Sequence, residues 1–545
     1  MSRADDIRRT AEQVFGWPTL RPGQLEAMEA VVAGRDVLVV MPTGAGKSAV
    51  YQVPAVLVEG PTVVVSPLIA LQRDQVTGLT DVEAGGAVQA NSSLSATARS
   101  AALEAVVAGD AEFIFLAPEQ LAKDEVLEAL AAARPSMFVV DEAHCISSWG
   151  HDFRPDYLRL GTVVERLGRP RVLALTATAS PPVRAEIVER LGMRDPVQLV
   201  QGFDRPNLSL DVEWVRTDEQ RREAVLLRAM GSPKPGLVYT ATRASADAYA
   251  AALADLGADA AAYHAGLRAA DRTAVQERFM AGELDVVVAT TAFGMGIDKA
   301  DVRFVLHAEV ADSLDSYYQE IGRAGRDGEP AEAVLYYRPE DLGLRQFFAS
   351  GGVDEQALQK VATLVKHAPG PVSPAELAEE MGLSSTRLVG LVNLLEQVAA
   401  VEVLPDGRLT GDPVPSDAVA AAVAVAESRR RVERSRVDMM RGYAETQGCR
   451  RQYLLGYFGE RLEQLCGNCD SCLAGAAATA PDPAASPFPL DSEVQHATWG
   501  TGVVMSYEGD RITVLFQEEG YKTLSLDAVL ANGLLTSGAE QPAAG

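Results

Sequence analysis

Short apolar runs alternate with helical patterns over the first 207 residues of the chain. Five of these runs predict buried strands, at residues 37–41, 62–66, 113–116, 137–140 and 172–175. Polar residues follow each run, and the carboxyl ends of parallel strands share one edge of a sheet. The pattern predicts an α/β lobe over residues 1–207 with a ligand site at that edge.

The same alternation recurs over residues 208–345, with strands predicted at 236–239, 285–289 and 304–306. Two capped helices are then predicted at 373–383 and 384–397, followed by a small hairpin at 401–409. Together they predict a winged-helix-like insert over residues 346–412. Its second helix carries Arg387 as its only basic residue, so a protein-contact role is as open as a DNA-reading role.

The last part of the chain predicts a linker and a small domain. Alanine and proline dominate the linker at 476–487, which we expect to be flexible. Short alternating strands over 488–545 predict a small SH3- or Tudor-like β-barrel. We expect this barrel to be tethered and to offer Trp499 and Tyr507 to a partner; permanent packing against the preceding domains is the alternative.

Composition adds two constraints. The 545 residues are 47% hydrophobic, yet no run is long enough to span a bilayer and no secretory leader is visible, so we expect a cytoplasmic protein. The formal net charge of −26 is unusual for a nucleic-acid binder. Residues 427–451 nevertheless carry eight arginines against four acids, which fits a DNA contact or a solvated helix face.

A glycine-rich loop follows the first predicted strand. Gly44 and Gly46 free backbone N–H groups for phosphates, Lys47 adds an ammonium and Ser48 a hydroxyl for Mg²⁺, with Thr43 in the same loop. Met41 stands where the full motif has its first glycine. The loop predicts binding of ATP with Mg²⁺.

Acidic and basic groups complete this predicted site. Asp141 ends a buried strand and is expected to hold Mg²⁺ with Ser48, while Glu142 polarises the attacking water. Arg323 and Arg326 lie far along the chain and can stabilise a γ-phosphate only if the second lobe folds over the first. Hydrolysis would then depend on lobe closure, which a motor requires. Upstream, the Gln24 amide is expected to read an adenine edge.

Four of the five cysteines form a cluster with the spacing C-x16-C-x2-C-x2-C. These are Cys449, Cys466, Cys469 and Cys472, which suit a tetrahedral zinc ion in a structural site. An iron–sulfur cluster uses the same ligands and stays open on spacing alone. We expect a metal-binding module over residues 413–475.

The order of these motifs resembles superfamily 2 helicases, and specifically RecQ DNA helicases. The narrower match rests on residues 145–155 after Asp141-Glu-Ala-His144, on 293–299 and on 449–460. The resemblance implies two RecA-like lobes, a zinc site, 3′→5′ DNA unwinding on single-stranded and forked DNA, and nucleotide contacts at Asp298 and Gln319. It also implies a DNA-sensing loop, in which the residues expected to contact DNA are Trp149, His151, Phe153 and Arg154.

The chain departs from this family in its second half. About 100 residues separate the motor from Cys449, where RecQ proteins pass quickly into the zinc module. The final barrel resembles the C-terminal module of UvrD/PcrA helicases, which implies a contact with RNA polymerase or a repair protein. Two other functions therefore stay open: a DNA-stimulated translocase that separates no strands, and a recruitment scaffold gated by ATP.

Overall fold

The computed structural model describes residues 2–537 except 68, 81, 83, 92–93, 148–153, 295–298, 344–353, 405–407, 412–416, 478–486 and 491. No helix within those residues is long and apolar enough to cross a membrane.

Lobe 1 is built on a parallel sheet. Among the described residues it has seven strands in the order β3-β4-β2-β5-β6-β1-β7. They are β1 (Val37–Val40), β2 (Thr62–Val65), β3 (Ala87–Ala90), β4 (Phe113–Leu116), β5 (Met137–Val140), β6 (Arg171–Thr176) and β7 (Val197–Val200). The five predicted strands are confirmed; β3 and β7, at the two edges, are additional.

Helices cover both faces of this sheet, so β1, β2, β4 and β5 are buried along their whole length. The α-helices are α1 (Arg3–Phe15), α2 (Gln24–Val32), α3 (Ala49–Leu57), α4 (Ile69–Thr80), α5 (Ala96–Ala108), α6 (Asp124–Ala133), α7 (Leu160–Arg166) and α8 (Pro181–Arg190). Short 3₁₀ helices lie at Pro118–Ala122, Ala143–Ile146 and Pro155–Arg159.

Lobe 2 repeats the design. Its described strands form a six-stranded parallel sheet in the order β10-β11-β9-β12-β13-β8. They are β8 (Leu208–Trp214), β9 (Gly236–Tyr239), β10 (Ala260–Tyr263), β11 (Val286–Ala289), β12 (Phe304–His307) and β13 (Ala331–Tyr337). The helices are α9 (Asp218–Gly231), α10 (Arg243–Asp255), α11 (Ala269–Met280) and α12 (Leu314–Ile321). The prediction of two parallel-sheet lobes is confirmed.

The insert is a small helical unit with its own core. It contains α13 (Glu355–His367), α14 (Pro374–Met381) and α15 (Ser385–Gln397), then the two-stranded hairpin β14 (Glu402–Val403) and β15 (Leu409–Thr410). Gly382 ends α14 at φ 65°, and the Ser384 hydroxyl accepts from the Arg387 amide at 3.3 Å, as predicted. Ser373 stands at the N-terminus of α14, but its side chain makes no capping hydrogen bond. The predicted hairpin turn lies outside the described residues.

A long helix connects the insert to the cysteine module. This helix is α16 (Ala418–Glu445), and it is followed by α17 (Arg450–Tyr457) and the short α18 (Asp470–Leu473). The module covers the free edge of the lobe 2 sheet: Cys469 forms a parallel bridge with Leu210 of β8, and the Val212 amide donates to Asp470 at 3.1 Å. An open sheet edge is thereby closed.

The C-terminal domain is an antiparallel sheet of five described strands in the order β19-β18-β17-β16-β20. Its elements are β16 (Glu493–His496), β17 (Gly500–Glu508), β18 (Arg511–Phe516), β19 (Gly520–Ser525), α19 (Leu526–Asn532) and β20 (Leu535–Ser537).

This domain packs against the long helix α16 and the cysteine module, so the expectation of a loosely tethered barrel is wrong. The Arg431 guanidinium of α16 donates to the Glu518 carbonyl at 3.0 Å, and the rings of Tyr457 and Tyr521 lie 5.1 Å apart. The aromatics expected to be exposed are half-buried instead. Trp499 stacks on His496, and Tyr507 donates to the Phe488 carbonyl at 2.6 Å.

Candidate active site and cysteine centre

The predicted phosphate loop lies between β1 and α3, and its glycines are required by geometry. Gly44 and Gly46 have φ of 82° and 76°, which L side chains rarely adopt. A Cβ on Gly44 would lie 3.2 Å from Cδ of Arg326, and one on Gly46 would lie 2.7 Å from Nε2 of Gln24. The loop is therefore enclosed by lobe 2 on one side and by α2 on the other.

Lys47 and Ser48 stand at the start of α3, where a helix N-terminus favours anions. The Lys47 ammonium donates to the carbonyls of Met41 at 3.2 Å and Pro42 at 3.4 Å, and the Ser48 hydroxyl accepts from Gln75 at 3.2 Å. Thr43 is half-buried in the same loop. The structure thus brings the predicted ammonium and hydroxyl together beneath the glycines.

Gln24 is engaged with the loop itself. Its Nε2 donates to the carbonyls of Ala45 at 3.2 Å and Gly46 at 2.9 Å, and its Oε1 accepts from the Arg21 amide at 2.8 Å. Both ends of the amide are used, so reading an adenine edge would require these bonds to be exchanged. The geometry shows Gln24 as a support of the phosphate loop.

Asp141 and Glu142 follow β5 at the same edge. Burial and repulsion from Glu142 raise the pKa of Asp141 to about 7, against the attraction of Lys47. A carboxylate in this position is stabilised by a bound divalent cation. Glu142 adopts φ 48°, and its carboxylate lies 3.4 Å from Nδ1 of His144. The acidic pair faces the loop that holds the ammonium, as a Mg²⁺–triphosphate site requires.

Within the described part of lobe 2, two side chains reach lobe 1 at this site. Gln319 of α12 donates to the Thr178 hydroxyl at 3.3 Å, and Arg326 borders Gly44. Arg323 differs from Arg326: it is 5% exposed and lies within lobe 2, where its charge faces Tyr239. Of the two predicted arginines, Arg326 is therefore the one that lies at the phosphate loop.

Four sulfur atoms form a compact centre in the C-terminal half. The Sγ atoms of Cys449, Cys466, Cys469 and Cys472 all lie within 4.8 Å of one another. Sulfurs held about 2.3 Å from a tetrahedral zinc ion would be about 3.8 Å apart, and the Cys466 and Cys472 sulfurs are separated by 3.8 Å. The donor set and its spacing fit zinc.

Comparison with known proteins agrees with both sites. Residues 21–186 match the DEAD/DEAH box helicase model, 222–328 the helicase conserved C-terminal domain, and 415–473 the RecQ zinc-binding model. The chain is 33% identical to the probable ATP-dependent DNA helicase RecS of Bacillus subtilis, over 86% of this chain and 91% of that protein. The chain belongs to the RecQ helicase family. It is therefore an ATP-hydrolysing helicase with ATP, Mg²⁺ and Zn²⁺ as cofactors.

Other relatives of this RecQ-family chain are longer. The RecQ helicase of Pasteurella multocida is 35% identical over 84% of this chain, which spans 61% of that protein. Among solved structures, the DNA-bound helicase MrfA has a TM-score of 0.53 at 17% identity, over 77% of this chain and 61% of that one. Mycobacterium smegmatis Lhr, bound to single-stranded DNA and AMP-PNP, has a TM-score of 0.50 at 21% identity, over 80% and 61%. The likenesses to these two solved structures show the fold alone.

The predicted DNA-sensing loop is described only at its end. Trp149, His151 and Phe153 lie outside the described residues, as does Asp298. Arg154 is described: its guanidinium donates to the Pro67 carbonyl at 3.3 Å. The end of the loop therefore contacts the polar segment after β2, at the carboxyl edge that carries the ATP site.

The arginine-rich run divides into buried and exposed members. Arg451 pairs with Asp204 at 2.7 Å and Arg450 with Asp470 at 2.7 Å, and both arginines are at most 5% exposed. Arg434 and Arg441 are exposed. Both the DNA contact and the solvated face remain predictions for these exposed arginines. Arg451 instead joins the cysteine module to Asp204 and to the Leu208 carbonyl, and Arg450 is paired within the C-terminal half.

Sequence reasoning missed a cluster of buried aromatic residues between the lobes and the C-terminal half. Tyr318 donates to the Phe203 carbonyl at 2.8 Å, and Phe203 stacks on Phe458 at 4.5 Å. A sequence signal for this cluster was the motif at 449–460, which contains Phe458 and which served only for the family resemblance.

Proposed function

We propose that this protein is a 3′→5′ DNA helicase that couples Mg-ATP hydrolysis to translocation on single-stranded DNA and to duplex unwinding in repair and recombination. The observation that carries the proposal is the position of Arg326, a lobe 2 side chain that borders Gly44 of the lobe 1 phosphate loop. A site divided in this way makes hydrolysis sensitive to the relative position of the lobes.

Each residue of the site has a proposed role. Lys47 neutralises the β- and γ-phosphates, while Ser48 and Asp141 hold Mg²⁺, which supplies charge neutralisation between the phosphates. Glu142 orients the attacking water, and His144 fixes Glu142 through its contact at 3.4 Å. The remaining proposed nucleotide contacts come from the loop, from Gln24 and from lobe 2: Thr43, Gly44, Gly46, Asp298, Gln319, Arg323 and Arg326.

The proposed DNA contact is the loop after Asp141-Glu-Ala-His144. Trp149 and Phe153 would stack on bases of any identity, with His151 and Arg154 on the backbone. Arg154 supports this assignment because it contacts Pro67 at the carboxyl edge of the lobe 1 sheet. A loop attached there can transmit DNA occupancy to the acidic pair.

The remaining modules receive narrower proposals. The proposed domain boundaries lie after residues 207, 345, 412, 475 and 487. The insert is a winged-helix-like unit that contacts protein, because its helix α15 has one basic residue, Arg387, which pairs with Asp354 at 2.6 Å.

The C-terminal sheet is SH3- or Tudor-like and contacts RNA polymerase or a repair protein. The protein works in the cytoplasm, at the nucleoid.

The test is unwinding and ATPase activity on matched DNA substrates. We expect single-stranded DNA to raise ATP turnover, and a duplex with a 3′ tail to be separated faster than the same duplex with a 5′ tail. DNA-stimulated turnover without strand separation would support the translocase function instead. An ATP turnover that is the same with and without DNA would support the scaffold function.

A further inference from the structure

Four buried side chains from four parts of the chain meet behind the ATP site. They are Ser180 at the start of α8, Asp315 in α12, Tyr457 at the end of α17 and Tyr521 in β19, and none is more than 5% exposed. We call them the tyrosine brace. Lobe 1, lobe 2, the cysteine module and the C-terminal sheet each contribute one member.

The brace is joined by hydroxyl groups and by ring packing. The Tyr457 hydroxyl donates to the Asp315 carboxylate, and its ring lies 5.1 Å from that of Tyr521 at 31°. Burial, followed by the negative charge of Asp315, raises the pKa of Tyr521 to about 12, while hydrogen bonding with Tyr457 and Ser180 opposes the rise. The Tyr521 hydroxyl therefore keeps its proton at physiological pH.

Tyr521 is held in place by several contacts between the C-terminal sheet and the long helix α16. Gly520, at φ 76°, lies so close to α16 that a Cβ there would be 2.1 Å from the Ser435 hydroxyl. Arg431 pairs with Glu519 at 3.1 Å, and the Thr446 hydroxyl donates to Glu508. These contacts fix β19 against the long helix.

The brace joins the same two segments that meet at the nucleotide. Ser180 follows Thr178 by two residues, and Asp315 precedes Gln319 by one turn of α12. Thr178 and Gln319 contact each other directly at 3.3 Å. Any change in the spacing of Ser180 and Asp315 is therefore transmitted over a very short distance to Gln319 and, beyond it, to Arg326.

We propose that Tyr521 is a positioning residue for ATP turnover. It fixes the segment after β6 relative to α12, so that DNA binding places Arg326 correctly at the phosphate loop. The C-terminal sheet is then a working part of the motor. This inference rests on the proposed function, since it concerns the DNA-stimulated step.

The experiment compares Tyr521→Ala and Tyr521→Phe with Tyr507→Phe in the full-length, zinc-loaded protein. Tyr507→Phe is the matched control because it also removes one hydroxyl from the same sheet, there bonded to Phe488 within the domain. Basal and DNA-stimulated ATPase rates, KM for ATP and thermal midpoint are measured for each.

We expect Tyr521→Ala to lower the DNA-stimulated kcat by roughly five- to tenfold, with the basal rate and KM for ATP kept. Tyr521→Phe should lose less because the ring still packs on Tyr457, and Tyr507→Phe should behave as wild type. If the alanine variant melts early, the phenylalanine variant decides, because it preserves the packing.

Two results would overturn the inference. One is a stimulated kcat within twofold of wild type for both Tyr521 variants. The other is an equal fall of basal and stimulated rates together with the thermal midpoint, which would make Tyr521 a packing residue only. A wild-type protein without DNA stimulation would contradict the proposed function itself, so the two failures are distinguishable.

Discussion

The two lobes meet on two sides, and the contacts there differ in kind. On the front side, the contacts among the described residues are polar: Gln319 bonds to Thr178, and Arg326 lies beside Gly44. On the back side, aromatic rings are packed out of water. Phe203 stacks on Phe458 and bonds to Tyr318, and the tyrosine brace adds Tyr457 and Tyr521.

This difference indicates which side moves. Polar contacts at a glycine loop can be replaced by bonds to a ligand at little cost in free energy. Separating stacked buried rings instead exposes apolar surface to water, which costs a free energy of about 25 cal/mol per Å². Lobe opening should therefore occur at the front, with the back side as the fixed side of a hinge. The cysteine module and the C-terminal sheet both belong to that fixed side.

Removing the front-side ammonium should have the largest effect. Lys47→Ala should abolish measurable ATP turnover, because no other cation of the loop replaces it. The thermal midpoint should stay close to wild type, since Lys47 is half-buried in a loop and its ammonium donates to the Met41 and Pro42 carbonyls of that loop. Steady-state ATPase and melting curves measure both. Wild-type turnover under saturating DNA would contradict the motor assignment.

Arg326→Ala should remove the front-side contribution of lobe 2. We expect kcat to fall by on the order of 10³-fold with nucleotide binding retained, as for an arginine that acts in the transition state. Arg268→Ala is the control, because Arg268 is an 85% exposed surface residue paired with Asp271. Loss of nucleotide binding equal to the loss of turnover would assign Arg326 to ground-state binding.

Substitution of a zinc-ligand cysteine should destabilise the back side of the lobe interface. Cys469→Ser should lower zinc content from about one ion per chain and destabilise the C-terminal half by more than about 3 kcal/mol, since metal binding there is folding energy. Cys145→Ser should keep its zinc because Cys145 lies outside the cluster, beside His144. Metal analysis decides the matter; iron with visible absorption would assign an iron–sulfur cluster instead.

The smallest effect is expected at the partly exposed ion pair between α16 and the C-terminal sheet. Arg431→Ala should weaken the docking of the C-terminal sheet by at most about 1 kcal/mol, because the Arg431–Glu519 pair is partly exposed. Limited proteolysis of the linker should then rise less than about fivefold. Complete release of the domain would mean that this ion pair, and not the aromatic packing, holds it.

The front side could be predicted from sequence because its parts are local. Gly44, Gly46 and Lys47 are neighbours in one loop, and Asp141 ends an apolar strand, so each piece has its own pattern. The edge strand β3 was missed because Ala87-Val-Gln-Ala90 is half-exposed and weakly apolar.

The back side could not be predicted, because its partners are far apart in sequence. Tyr521 meets Ser180 and Asp315 only through the docking of a whole domain, and nothing near Tyr521 marks it as buried. The alanine- and proline-rich linker suggested independence, yet a flexible connection does not prevent packing. Gly520 carries the one local hint, since its positive φ permits the close approach to Ser435.

The central claim is that ATP and DNA close the front side while the back side stays fixed. Peptide-resolved hydrogen exchange, with a non-hydrolysable ATP analogue and single-stranded DNA, tests it directly. We predict new protection in lobe 2 over residues 322–328, together with the phosphate loop, and unchanged protection around Phe203, Phe458 and Tyr521. Protection of the phosphate loop without any change at 322–328, or exchange changes centred on the aromatic contacts, would contradict the account.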